Sequence, residues 1–189
     1  DSQSADESQG ENSTYSSTED QGAAREDTIS ASELDQEYSE AELEKLRDII
    51  IQGAKISSDF GTAHNEIQQI ASLISNSQWS SLAARYLVLV AKDEPETALE
   101  ALPTVASSYT TADTETRRWV MYYFARLSEI HPNVLLPVLD TLVEGISEDD
   151  INIQSNALAT LGRIVSVYPN VGSGLVDEVA KLLIHKKAE

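Results

Sequence analysis

Three prolines at a fixed interval constrain the fold of this chain more than any other feature of its sequence. Pro95, Pro132 and Pro169 follow one another at intervals of 37 residues. A period of ~20 to ~50 residues is typical of repeat proteins, in which each unit buries its apolar face only by stacking on its neighbours. The prolines therefore predict a stacked array of similar units over about residues 78–185.

The three units, aligned under these prolines without a gap, place apolar residues in shared columns at spacings of three and four, which is typical of one helix face. The columns of the first helix are Leu87/Phe124/Leu161 and Val90/Leu127/Ile164. Those of the second helix are Leu102/Leu139/Val176, Val105/Leu142/Val179 and Ala106/Val143/Ala180. Each unit is thus predicted to be two helices with a turn at the proline. The predicted ranges are 79–92, 115–130 and 151–168 for the first helices, and 96–109, 134–146 and 173–184 for the second.

Small residues recur where these helices are expected to approach closely: Ala83, Ala84, Ala91, Ala98, Ala125, Ala157 and Gly162. Upstream of the array, Ser39 and Glu42 have capping-box spacing at the start of a helical pattern. A second helix is predicted from about 62 to 75, with one apolar face made of Ile67, Ile70, Ala71 and Ile74. We interpret this pair as a degenerate capping unit, because terminal repeats are often atypical. The alternative is a separate docking element.

The units resemble a known repeat family in several features. These are an acidic turn between units (Asp113; Asp149-Asp150), basic residues early in the next helix (Arg117-Arg118) and a proline between the two helices. Together they resemble HEAT repeats, with armadillo-type repeats as near neighbours. The resemblance covers about 78–185 and extends more weakly back to 39. Gln154, where a basic residue is expected, and Gly172 and Gly174 depart from the pattern in the last unit.

The resemblance implies an all-α fold, a right-handed α-α superhelix (HEAT-like solenoid) of three helical hairpins plus an N-terminal capping hairpin. The repeats fall at about 39–77, 78–114, 115–150 and 151–186, within a repeat domain of 39–189. HEAT arrays mostly act as protein-binding scaffolds. The implied function is therefore a non-catalytic interaction scaffold or adaptor whose partner is another protein. Its expected binding surface is either a groove lined by second helices or the stripe defined below.

Acidic residues dominate the remaining segment and the chain as a whole. Residues 1–40 carry twelve acidic side chains and one basic one, Arg25, and the whole chain has a net charge of −19. Residues 1–38 are predicted to be a disordered acidic tail, either a solvating spacer or an interaction arm, because they hold too few large apolar residues to offset the entropy of ordering. The acidity disfavours binding to nucleic acid or to an anionic membrane. The composition resembles that of haloarchaeal proteins and favours a halophile's cytoplasm; the alternative is an ordinary acidic protein.

No pattern of catalytic residues stands out. The chain has no cysteine, and His64, His131 and His185 are scattered, without the spacing of a metal site. We therefore expect no enzyme activity, no cofactor, no metal and no small-molecule substrate. The alternatives are a HEAT-like enzyme of the hydroxylase, lyase or DNA glycosylase type, or the regulatory domain of a longer protein, since the sequence begins at Asp1.

One group of residues is left unexplained by the repeat columns. Trp119, Tyr122 and Tyr123 lie on the first helix of the middle unit, together with Arg117, Arg118 and Arg126. We call these six residues the aromatic–arginine stripe. Tryptophan, tyrosine and arginine are enriched at the energetic centres of protein interfaces. The stripe, predicted to be partly exposed, is therefore the candidate protein-binding site; the alternative is that Trp119 and Tyr123 pack against a neighbouring helix.

Overall fold

The computed structural model describes residues 40–56, 59, 61–76 and 78–186, and across these ranges it is all-helical, without a strand. The predicted tail, the Ser39 cap and the domain boundary near residue 38 lie outside the described residues. Nine α-helices occur within those ranges: α1 (Glu40–Gly53), α2 (Ala63–Ser72), α3 (Ser80–Asp93), α4 (Pro95–Leu99), α5 (Leu102–Ser108), α6 (Thr114–Ile130), α7 (Leu139–Ser147), α8 (Ile151–Val167) and α9 (Pro169–Lys186). Three 3-10 segments accompany them: Leu73–Ser75, Tyr109–Thr111 and Pro132–Val138.

The backbone repeats at the three prolines. The residues that precede them share one non-helical conformation: Glu94 (φ −134, ψ 67), His131 (φ −130, ψ 64) and Tyr168 (φ −124, ψ 73). The amide of each donates to the carbonyl four residues earlier, at Val90, Leu127 and Ile164, which form one of the predicted columns. A proline disfavours the helical conformation of the residue before it and has no N–H of its own. Each first helix therefore ends, and each second helical segment begins, at the same place in the repeat.

The first helices contact one another in chain order, α1 with α3, α3 with α6 and α6 with α8, while second-helix segments pack against them. Both first-helix columns are buried in all three units, as predicted. The second-helix columns are less uniform: Val105 and Leu142 are buried, and in the next column Leu102 is buried, Leu139 half-buried and Val176 exposed. In the predicted column Ala106/Val143/Ala180, the first two residues are half-buried and Ala180 is exposed. The predicted close-packed alanines are all buried; Gly162 is exposed, and a side chain there would meet no atom, so that prediction was wrong.

The first helices lie within a residue of their predicted bounds, but the second helices differ. The predicted helix 96–109 is two helices, α4 and α5, because Pro103 near the start of α5 cannot donate to the preceding turn. The next begins as the 3-10 segment Pro132–Val138, which contains Pro137. The last begins at Pro169 rather than near 173, and Gly172 and Gly174 lie inside α9.

The N-terminal hairpin has the predicted apolar face, with Ile67, Ile70, Ala71 and Ile74 buried. Thr62 caps α2 by accepting a hydrogen bond from the Asn65 amide at 3.2 Å. At the end of α1, Lys55 adopts the left-handed conformation (φ 55), and the Ile56 amide donates to the Ile51 carbonyl. This is a Schellman-type C-cap, in which the left-handed position usually holds glycine.

Candidate functional site

The aromatic–arginine stripe lies on α6, whose first turn is capped by Asp113 through a 2.8 Å hydrogen bond from the Thr116 amide. Its rings are buried: Trp119 is 6% exposed, Tyr122 9% and Tyr123 0%. The prediction of a partly exposed stripe is thus corrected. Trp119 and Tyr123 instead pack against neighbouring helices, which was the alternative interpretation, since α6 packs between α3 and α8.

Each ring has a specific partner inside the protein. The guanidinium of Arg85 stacks on Trp119, 5.5 Å from the ring centroid, and that of Arg126 lies 4.9 Å from the centroid of Tyr122. The Tyr123 hydroxyl donates to the Ala98 carbonyl of α4 at 2.6 Å. Desolvation by burial raises the pKa of Tyr123 above its ordinary value. Trp119 and Tyr123 therefore join α6 to α3 and α4, whereas the contact between Tyr122 and Arg126 lies within α6.

The three arginines of the stripe are engaged with acidic side chains. Arg117 pairs with Glu148 and also donates through Nε to the Ala112 carbonyl at 2.9 Å. Arg118 pairs with Asp150, and Arg126 with Glu129 at 3.3 Å.

The first two pairs tie α6 to the turn before α8, so the charges of Arg117 and Arg118 are largely neutralised. Asp150 also caps α8 by accepting from the Asn152 and Ile153 amides at 2.9 and 3.1 Å. Gln154 donates to the Glu148 carbonyl, so it holds the same turn that a basic residue was expected to hold. That the stripe contacts a protein partner stays a prediction.

A second candidate is an apolar surface at the last hairpin, which we call the end face: Leu158, Leu161, Val165, Leu175 and Val176. It lines a depression of about 430 Å³ between α8 and α9, and none of the described side chains that line it is charged. Leu158 is 50% and Val176 65% exposed. One repeat earlier, Met121 occupies the column of Leu158 and is 0% exposed, because α8 and its neighbours cover it.

The sequence contained the signal for this surface. The apolar columns continue through the last aligned unit, and an apolar column is exposed wherever no neighbouring unit covers it.

The third candidate is a cleft of about 550 Å³ between α1, α2, α3 and α4, which we call the hairpin cleft. Its polar lining consists of Glu44, Arg47, Glu66, Tyr86, Asp93, Glu94 and Thr97. Arg47 makes two hydrogen bonds to Glu66, one of them 2.7 Å long, and a further one to Glu44 at 3.2 Å. No sequence pattern predicted this cleft, because its residues come from four helices and share no spacing.

Tyr86 lies at the inner wall of the hairpin cleft and is only 6% exposed. Its hydroxyl has no hydrogen-bond partner among the described residues. Burial raises the pKa of Tyr86, with a smaller contribution from the charge of Glu66. The hydrogen bond to Glu66 raises the pKa of Arg47 further above its already high ordinary value, so the arginine is charged throughout the accessible pH range.

Two of the three histidines pair with glutamates. His64 pairs with Glu100, and His131 with Glu96 at 3.3 Å. Within the described ranges, no group of three His, Cys, Asp or Glu residues is placed to hold a metal ion. In the same part of the chain, no helix combines the length and the apolar character needed to cross a bilayer.

Comparison with protein-family models, with curated proteins and with solved structures found no match for this chain.

Proposed function

We propose that this chain is a HEAT-like α-solenoid that acts as a non-catalytic protein-binding scaffold, with the end face as its interface. The observation that carries the proposal is the exposure of Leu158, in a column whose other members Ala84 and Met121 are buried, together with the exposure of Val176 beside it. Burial of apolar area stabilises by ~25 cal/mol per Å², so a face of this kind gains from being covered by a helical partner. In the two preceding repeats, the equivalent face is covered by the helices of the next unit. This supports a helix pair as the element that covers the end face.

A second copy of this chain is the partner that the charges favour. Residues 151–186 carry three basic and two acidic side chains, a net charge of +1, in a chain of net charge −19. Two acidic molecules repel each other least where their local charge is close to zero. A symmetric contact of end face on end face also closes the assembly, as in most homodimers. The proposed assembly is therefore a dimer formed by α8 and α9 of each copy.

Sedimentation velocity on the full chain at about 100 µM tests this interface. The wild type is expected to be a dimer, and Leu158→Asp or Val176→Asp to weaken dimerisation by about 100-fold, since the charge is buried once on each side of the contact. Ile130→Asp is the matched control, because Ile130 is 51% exposed but lies outside the end face. A monomeric wild type, or an equal effect of Ile130→Asp, would refute the end-face proposal.

The acidic surface supports a second element of the proposal, a halophile's cytoplasm as the working environment. The chain has 32 acidic and 13 basic residues. Repulsion among so many carboxylates opposes folding in dilute solution and is screened at high salt, where the Debye length is only ~3 Å at 1 M. The dependence of folding on salt concentration tests this part of the proposal directly.

A further inference from the structure

The hairpin cleft is a second site, independent of the end face, since it lies between α1, α2, α3 and α4 rather than at α8 and α9. Its acidic groups are Glu44, Glu66, Asp93 and Glu94, and its one basic group is Arg47. The formal charge of the lining is thus −3. Arg47 is occupied by Glu66 and Glu44, so it does not offer its guanidinium to an incoming anion.

The second observation is the Tyr86 hydroxyl. Tyr86 lines the cleft and is more than nine-tenths buried as a residue, while its hydroxyl oxygen is accessible from the cleft and makes no hydrogen bond with the described residues. A hydroxyl that is held in place by its buried ring and has no partner in the protein can form its hydrogen bond with a ligand in the cleft. A phenol oxygen accepts from an N–H donor, and the carboxylates at the rim attract a positive charge.

The walls add an apolar part to this polar set. Leu43, Ile67 and Val90 line the same cleft, and the last two are buried. Ligand sites commonly combine apolar walls with a few convergent polar groups in volumes of ~300 to ~1,000 Å³, and the cleft of about 550 Å³ lies within that range. A ligand that matches both parts has an aliphatic chain and a cationic hydrogen-bond donor at its end.

We propose that the hairpin cleft binds an alkyl guanidinium or alkyl ammonium group, which pairs with Asp93 and Glu94 and donates a hydrogen bond to the Tyr86 hydroxyl. Asp93 forms no ion pair within the described residues, and Glu94 accepts only from the Thr97 hydroxyl at 3.2 Å, so both carboxylates have capacity for a donor. Two sources share this chemistry: an arginine or lysine side chain of a protein, and a free polyamine.

Isothermal titration calorimetry on the full chain tests the site, at a KCl concentration that keeps the protein folded. The probes are agmatine, spermidine, a blocked Gly-Gly-Arg-Gly-Gly peptide and the neutral analogue n-butylurea. Agmatine is expected to bind saturably and n-butylurea not to bind. A peptide that binds at least about tenfold more tightly than agmatine and spermidine identifies a protein side chain as the source; the reverse order identifies a free amine.

Two variants locate the binding. Tyr86→Phe keeps the packing and removes the hydroxyl, and it is expected to weaken agmatine binding by about fivefold, the effect of one hydrogen bond. Asp93→Asn with Glu94→Gln is expected to weaken it by about tenfold. The matched control is Asp140→Asn with Glu144→Gln, which removes two exposed charges of α7 outside the cleft and should change affinity by less than about twofold.

Three results would overturn the proposal. They are absence of saturable agmatine binding, equal affinity of Tyr86→Phe and wild type, and equal weakening by the control pair, which would indicate general attraction to an acidic surface. Circular dichroism at 222 nm verifies that each variant is folded. Should Tyr86→Phe fail to fold, the paired acidic variants still decide the outcome, because their side chains lie at the exposed rim.

Discussion

Replacing Tyr123 with phenylalanine tests the view that the aromatic–arginine stripe holds the array together. The Tyr123 hydroxyl donates to the Ala98 carbonyl of α4 at 2.6 Å, just before the break between α4 and α5. The Ala98 carbonyl also accepts from the Ala101 amide at 3.0 Å, so it keeps one partner when the hydroxyl is removed. The loss should therefore be that of one neutral hydrogen bond, about 1 kcal/mol of unfolding free energy at pH 7.

The same substitution should have the opposite effect at high pH. Burial raises the pKa of Tyr123 above the value of ~10 that it has in the unfolded chain. The unfolded state therefore loses this proton first, and the stability that the tyrosine contributes is complete below pH ~10 and is lost as the pH rises above it. By pH ~11 the loss is about 1.4 kcal/mol, which exceeds the gain from the hydrogen bond. Tyr123→Phe should thus be less stable than wild type at pH 7, equal near pH ~10.6 and more stable above it.

Urea unfolding followed by circular dichroism at 222 nm, at pH 7 and at steps from pH 9 to 11.5 in constant salt, measures the crossing. Tyr168→Phe is the control at pH 7, because its half-buried ring makes no side-chain hydrogen bond with the described residues, and it should stay within about 0.5 kcal/mol of wild type. A stability difference between Tyr123→Phe and wild type that is constant from pH 7 to 11.5 would show that the hydroxyl ionises without unfolding, and the reasoning would be wrong.

Two further predictions concern the end of α1 and the response to salt. Gly53→Ala should destabilise the protein by about 1 to 3 kcal/mol and shift the tryptophan fluorescence, because the added methyl would overlap the Trp79 ring. Lys55→Gly should stabilise the protein by about 1 kcal/mol, because glycine adopts the left-handed backbone of this position without strain. Urea titrations measure the unfolding free energy of both variants, and stabilisation by Gly53→Ala would contradict the packing. Helicity at 222 nm should be incomplete in dilute buffer and rise towards ~2 M KCl; complete folding in dilute buffer, unchanged by salt, would contradict the halophile proposal.

The repeat could be read from the sequence because proline acts locally. Pro95, Pro132 and Pro169 each lack an amide proton and restrict the residue before them, whatever surrounds them in the fold. The helix ends at these positions were therefore predictable to within a residue or two. Pro103 and Pro137 act by the same chemistry, and they mark the places where the predicted second helices are broken or tightened. Neither proline recurs at the 37-residue interval, so the period alone did not predict these two breaks.

The burial of the stripe could not be read from single columns. Trp119 shares a column with Leu82 and Asn156, and this mixed polarity suggested exposure. Both of those residues are in fact half-buried, so the column is neither core nor surface. Trp119 is covered more fully because α6 has a neighbour on each side and because the Arg85 side chain lies over the ring. The burial of Trp119 under a long polar side chain such as Arg85 cannot be predicted from the pattern of apolar residues.

The two proposed sites follow from what the repeat leaves unsatisfied. In the interior, an apolar column meets the next unit and an arginine such as Arg118 meets the acidic turn one unit later. In the last described hairpin Leu158 and Val176 are exposed, and in the first hairpin Arg47 neutralises the carboxylates only in part. Because these surfaces share no residue, their effects should add independently: Leu158→Asp should break the dimer and leave agmatine affinity unchanged. A dimer joined at its end faces would then carry two hairpin clefts, and a protein presenting two suitably spaced basic side chains would gain from binding both at once.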